Sequence, residues 1–222
     1  MTPLLETWRP RLIALADTAS GDDGAHDRNH LHRVWRNAGP LLAAYPDADA
    51  LVVMAACYLH DLVNLPKNHG ERHLASRQAA QLARRLLAEG GFPDDKLEPV
   101  VHAIETHSFS AGLTPLTIEA KIVQDADRLD ALGAVGLARL FYTAGRVNSS
   151  LAHAGDPLGR HRSLDDKAYA LDHIDTKLAA LPAMMQTAGG RALAQARLAS
   201  LIAFRAEFVG EWGDAAAEQR QD

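Results

Sequence analysis

Leu51-Val52-Val53-Met54-Ala55-Ala56-Cys57 runs directly into Tyr58-Leu59-His60-Asp61-Leu62. An unbroken apolar run of this kind suits a buried helix, and it delivers a histidine and an aspartate side by side at its end. A neutral imidazole nitrogen and a carboxylate oxygen together suit a divalent ion such as Mn²⁺, Fe²⁺ or Zn²⁺. Adjacent side chains on a helix point about 100° apart. They converge on one ion most easily where the helix ends, and Pro66 and Gly70 follow soon after. Taken alone, the doublet reads equally well as a capped helix end or a solvated pair.

Outward from this stretch, segment after segment shows helical spacing and is rich in Ala, Leu and Arg, so the expected fold class is all-α. Helices are predicted over 4–19, 26–44, 48–62, 71–89, 93–107, 117–146, 164–180 and 189–212. The long 117–146 segment carries a candidate break near Gly133 or Gly136. Pro46 and Asp47 are read as opening the helix that holds the apolar run, and Gly90-Gly91 as closing the one before Pro93. Residues 148–163, with Asp156-Pro157-Leu158-Gly159, read as an exposed loop. The expected organisation is an N-terminal helix over 1–20, a core with the candidate site over 21–147, a loop and C-terminal helices over 148–212 packed on that core, and a frayed tail over 213–222.

The 222 residues carry a formal charge of −5, with a pI near 6.1, 47% hydrophobic and 23% charged residues. That balance fits a chain able to bury a core and argues against a general nucleic-acid binder, which would carry a basic face. The single cysteine, Cys57, lies inside the apolar run and reads as a small buried hydrophobe. One cysteine forms no internal disulfide, which fits a reducing compartment. No run reaches the roughly 20 apolar residues of a membrane span. Glu6, Arg9, Arg11 and Asp17 interrupt any leader-like segment. The expected location is cytoplasmic, with no membrane partner and no nucleic acid; a homodimer is left open.

Histidine and aspartate concentrate in four stretches: His26-Asp27-Arg28-Asn29-His30-Leu31-His32-Arg33-Val34, the His60-Asp61 doublet, His102-Ala103-Ile104-Glu105-Thr106-His107-Ser108, and Gln124-Asp125-Ala126-Asp127-Arg128-Leu129-Asp130. The fourth places acids straight after an apolar stretch. A lone buried carboxylate there would cost several kcal/mol unless it is paired or bound to metal. The bland counterpart is a set of ion pairs on a helix surface.

The order His30, then His60-Asp61, then Asp127 resembles the H…HD…D signature of the HD-domain superfamily of metal-dependent phosphohydrolases. The intervals, about 30 and then about 65 residues, suit that arrangement. The words Tyr58 to His69, His107 to Ala111, Gln124 to Gly133 and His161 to His173 are similar to the YedJ/YpgQ-like bacterial subgroup. The doublet is unspecific; the four words together are specific, and they span most of the chain. The resemblance implies a single HD-domain helical bundle with a C-terminal helical extension. It implies metal ligands His30, His60, Asp61 and Asp127, with His30 preferred to His26 because it precedes Leu31-His32-Arg33-Val34. His26 and Asp27 are left to an outer position or a helix start. The expected cofactor is one divalent ion, with Mn²⁺ first and Mg²⁺, Fe²⁺, Co²⁺, Ni²⁺ or Zn²⁺ as alternatives.

Such an ion lowers the pKa of a bound water and polarises a phosphoryl oxygen. Asp61 or Asp127 could accept the water proton, and His107 is expected near the pocket as a substrate or general-acid residue. His102 reads as structural. Lys67, Arg128, Asp130, His161 and Lys167 are the candidate substrate contacts. Asn64 stands where some HD nucleotidases carry a glutamate, so Glu71 or Asp130 would have to take over that step. The expected substrate is a small nucleotide, and the expected reaction turns a nucleoside triphosphate into monophosphate and pyrophosphate. The alternatives are a phosphomonoesterase or 5′-nucleotidase, and a regulatory module that binds metal and nucleotide.

Overall fold

The computed structural model describes residues 2–18, 28–63, 70–108 and 111–213. His26, Asp27, Asn64, Lys67 and the tail beyond 213 therefore lie outside the described residues. Among the described residues there are nine α-helices and no strand, only an isolated bridge between Ser150 and Tyr169. No described helix is long and apolar enough to cross a membrane. The chain divides into two compact units: residues 1–130 with 186–190, and 131–185 with 191–222. The second unit begins at Ala131.

The first unit is built from α1 (Pro3–Asp17), α2 (Arg28–Ala44), α3 (Ala50–Leu59), α4 (Ala75–Glu89), α5 (Leu97–His107) and α6 (Ile118–Leu129). Short 3-10 turns, Arg72–Leu74 and Asp94–Lys96, precede α4 and α5. The apolar run behaves as its composition demands: every residue of α3 from Leu51 to Leu59 is buried. α1, α2, α5 and α6 pack around α3, and α4 packs on α5. The helix is opened by Asp49, not by Pro46 or Asp47; its carboxylate accepts from the N–H groups of Leu51 at 2.9 Å and Val52 at 3.2 Å. Lys96 pairs with the same carboxylate.

The predicted 117–146 helix is broken where Gly133 takes φ +72°, a conformation that favours glycine. The second unit therefore begins with a separate α7 (Gly133–Arg146) and holds α8 (Asp172–Thr176), a 3-10 segment (Leu178–Met184) and most of α9 (Ala188–Trp212). Phe141 of α7 meets Phe204 and Phe208 of α9 at ring-centre distances of 5.9 and 6.1 Å.

The helix expected over 164–180 is reduced to α8 and the start of the 3-10 segment, and residues 164–171 are not helical. Side chains capture their backbone instead. Asp165 Oδ1 accepts from the N–H groups of Lys167 and Ala168 at 3.0 and 3.2 Å. The buried carboxylate of Asp172 takes Arg162 Nη1 and Nη2 at 2.6 and 2.7 Å and the N–H of Asp165 at 2.7 Å. The 150–151 backbone then pairs with residues 168–171 in a short parallel contact.

Candidate metal centre

The site lies in the first unit and is assembled by the ends of α3 and α5 and by one face each of α2 and α6. α3 stops at Leu59, so His60 and Asp61 sit in the turn that follows, where neighbouring side chains can converge. His30 comes from the first turn of α2, Asp127 from the last turn of α6, and His107 closes α5.

The donors meet closely. His30 Nε2 and His60 Nε2 are 3.3 Å apart. Asp127 Oδ1 lies 3.4 Å from the first and 3.8 Å from the second. Asp61 Oδ2 lies 3.7 and 3.6 Å from the same two nitrogens. His107 Nε2 is 4.0 Å from Asp61 Oδ1, and its ring centre is 4.7 Å from that of His60. Two donors bound to one ion at about 2.1 Å are separated by roughly 3.0–4.2 Å, depending on the angle between them, so this spacing suits a shared cation.

The tautomers follow from what lies behind each ring. A carbonyl oxygen can only accept, so His60 Nδ1–H donates to Cys57 O at 3.0 Å and His107 Nδ1–H to Ile104 O at 2.6 Å. His30 Nδ1 faces Asp130 Oδ2 at 2.8 Å. All three rings therefore turn Nε2 into the cluster. Two Nε2 lone pairs facing each other across 3.3 Å repel unless a cation sits between them. Without metal, a proton takes that place. Burial lowers the pKa of His30, but hydrogen bonds with Asp127 and Asp130 and the charges of Asp127 and Asp61 outweigh it and raise the value to about 9. Burial, with the neighbouring His107 and His30 against the attraction of Asp61 and Asp127, pushes His60 down to about 4. Burial also opposes charge on Asp127, yet the His30 hydrogen bond and the surrounding imidazoles hold its carboxyl far below the usual range. The donor set of imidazoles and carboxylates thus fits a divalent ion.

The site has a direction. The His30 and His60 side chains are 2% and 1% exposed, whereas Asp61 and Asp127 keep 21% and 27%. The imidazoles form a buried floor and the carboxylates a rim.

The structure brings together His30, His60, Asp61, Asp127 and His107. Asp130, expected to touch substrate, is instead buried behind His30, with Arg33 Nε at 2.8 Å from Oδ1 and Arg33 Nη2 at 3.1 Å from Oδ2. Arg128 is half-buried on α6; burial lowers its pKa, and the charges of Asp125 and Asp127 resist that. His161 and Lys167 are exposed residues of the second unit. Glu71 is exposed in the first. His102 accepts the Leu116 N–H at 3.0 Å, a structural role. Cys57 is fully buried, and burial pushes its thiol up, so it is no nucleophile.

Two supports escaped the sequence reading. Arg33 lies one turn beyond His30 and on its face, a spacing that could have flagged it. Asn37, one turn further, donates to Ala126 O at 3.0 Å and ties α2 to α6 beside Asp127.

The HD domain family matches residues 28–132, a span that contains every residue of this cluster. The YpgQ protein of Bacillus subtilis (strain 168) is 35% identical over 208 residues, covering 90% of this chain and 88% of YpgQ. A solved structure from Lactobacillus plantarum matches with TM-score 0.70 at 31% identity, over 93% of this chain and 97% of that one. Bacillus subtilis YpgQ in complex with ADP matches with TM-score 0.69 at 29% identity, over 91% and 97% of the two chains. An HD-superfamily hydrolase from Bacillus thuringiensis gives TM-score 0.69 at 25% identity, over 93% and 97%. The metal-fitting cluster falls inside the matched segment and the relatives span almost the whole chain: this chain belongs to the HD-domain superfamily and is a metal-dependent phosphohydrolase.

Proposed function

We propose that the chain hydrolyses nucleoside triphosphates, ribo- or deoxyribo-, to monophosphate and pyrophosphate with a Mn²⁺ ion held by His30, His60, Asp61 and Asp127. The observation that carries the reading is the pair of facing Nε2 atoms, 3.3 Å apart, rimmed by two carboxylates. The nucleotide class draws support from the relative YpgQ, whose structure was solved in complex with ADP. The choice of triphosphates and of the pyrophosphate bond rests on the subgroup resemblance.

When bound, the ion supplies a more acidic water and an electrophilic contact for phosphoryl oxygen. The chain supplies the rest. His30 and His60 close the floor, so water and phosphate approach across the Asp61–Asp127 rim. In this reading the Asp61 or Asp127 carboxylate accepts the proton of the attacking water. His107, whose Nε2 lies 4.0 Å from Asp61 Oδ1, holds or returns a proton to the leaving group in this reading. Arg128, next in sequence to Asp127, and Lys67, shortly after the His60-Asp61 doublet, are the proposed phosphate-binding cations.

The test is product analysis. Purified protein and its Asp61→Ala variant are incubated with Mn²⁺ and a panel of nucleoside mono- and triphosphates, and pyrophosphate is separated from orthophosphate. Metal-dependent pyrophosphate release that the variant lacks supports the proposal. Orthophosphate release from monophosphates replaces it with a phosphomonoesterase, and binding without turnover replaces it with a nucleotide-binding module.

A further inference from the structure

We propose that Asp130 and Arg33 form a positioning pair that sets how tightly the centre holds its ion, acting through His30 and touching neither metal nor substrate. The inference rests on His30 being a metal ligand.

An imidazole can present Nε2 to an ion only while Nδ1 carries the proton, and whatever accepts that proton fixes the ring. For His60 and His107 the acceptor is a backbone carbonyl, which is neutral and held by the fold. For His30 it is the Asp130 carboxylate, 2.8 Å from Nδ1. A carboxylate behind a ligating histidine makes the ring a stronger donor as well as orienting it. His30 is thus the one histidine of the three whose donor strength depends on a side chain.

Asp130 is itself 2% exposed, and a carboxylate so buried needs a partner to remain charged. Arg33 provides it with two parallel contacts, Nε to Oδ1 at 2.8 Å and Nη2 to Oδ2 at 3.1 Å. The arrangement repeats at successive turns of two facing helices. His30 of α2 meets Asp127 of α6 at 3.4 Å; one turn along each helix, Arg33 meets Asp130 at 2.8 Å. The outer pair therefore fixes the rotation of both helices at the ligand pair. It also leaves Asp130 oxygens turned to His30 and Arg33, not toward the open rim.

The test measures metal binding with no nucleotide present, so it stands apart from the question of substrate. Mn²⁺ binding is followed by the electron paramagnetic resonance signal of the free ion, and Co²⁺ binding by its visible spectrum. Asp130→Ala should weaken Mn²⁺ binding by about 10- to 100-fold and shift the Co²⁺ bands. Asp130→Asn retains an acceptor for Nδ1–H without the charge and should fall between wild type and alanine. Arg33→Met should weaken binding in the same direction, and Arg33→Lys should recover part of the loss. The asparagine and lysine variants carry the test if the harsher ones do not fold. Variants that melt at lower temperature but bind Mn²⁺ within about twofold of wild type, with unchanged Co²⁺ bands, would leave the pair a purely structural clasp and overturn the proposal. Wild-type protein that takes up neither ion would overturn the metal reading and this proposal with it.

Discussion

Gly190→Ala should destabilise the protein markedly, although glycine here needs no unusual backbone. A Cβ at this position would stand 2.3 Å from Asp125 Oδ2 and 2.8 Å from Thr187 Oγ1. The Asp125 side chain cannot swing aside cheaply. Its buried carboxylate accepts from the N–H groups of Gln186 and Thr187, both at 2.8 Å, and from Thr187 Oγ1 at 2.7 Å. Thr187 Oγ1 in turn accepts the Gly190 N–H at 2.9 Å. Alanine must therefore break at least one charge-assisted bond, costing about 1.5–3 kcal/mol, and leave a buried acceptor short of a partner, costing about 1–3 kcal/mol more. The better helix propensity of alanine returns at most about 1 kcal/mol. The net loss is about 1.5–5 kcal/mol. At roughly 2–4 °C per kcal/mol for a chain of this size, the melting temperature should fall by about 3–20 °C. Differential scanning calorimetry of the full chain reads this directly, with Thr187→Ala as a comparison that loosens the same carboxylate without adding bulk. A Gly190→Ala protein that melts at or above the wild-type temperature would refute the argument, because it would mean Asp125 is not clamped.

Asp61→Ala should lose both bound metal and turnover; a variant that keeps both would remove Asp61 from the centre. His107→Gln should cut turnover by about 10²–10⁴ while Mn²⁺ affinity holds, and affinity falling in step with turnover would make His107 a ligand instead. Cys57 should resist thiol reagents in the native protein and react only on unfolding; ready modification of the folded chain would contradict its burial. Burial works against charge on Asp49, but the Lys96 ammonium and the Val52 and Leu51 N–H groups hold its carboxyl below the ordinary 3.8, so its stabilisation is complete above that value and lost as pH falls through the lower folded one. The melting difference between wild type and Asp49→Ala, a cap worth about 1 kcal/mol, should persist at neutral pH and shrink in acid; a larger difference in acid would reverse the sign.

What could be read from the chain alone was whatever local chemistry decides. The run from Leu51 to Leu59 admits one fate, burial on all sides, so the doublet had to fall at its end. Gly133 marked the break before α7 because no other residue takes φ +72° as readily. The span 164–180 misled because its acids had other uses: Asp165 accepts from backbone N–H groups and Asp172 holds Arg162 and the Asp165 N–H, so only the part from Asp172 onward is helical. Asp130 misled for a different reason. Sequence places it beside the ligand stretch, yet only the neighbouring helix decides whether its carboxylate faces the rim or the back of His30. Helical geometry does limit the choice, since Asp130 lies one turn from Asp127 and shares its side of α6, whereas Asp125 points away.

That distribution explains how α6 tolerates so many polar groups among buried neighbours. Gln124 donates to Thr106 O at 2.7 Å and so fixes α6 against the end of α5, next to His107. Asp125 grips the 186–187 backbone on another side. Ala126 gives its carbonyl to Asn37, and Asp130 engages His30 and Arg33. These groups engage α5, α2 and the 186–187 segment, so the helix can neither roll nor slide without breaking several bonds at once. Asp127 differs in kind: its partners are His30 and His60, whose Nε2 atoms face each other, a donor set that suits a cation. The carboxylates of Asp125 and Asp130 are held by protein groups, whereas that of Asp127 faces the two imidazoles of the candidate centre.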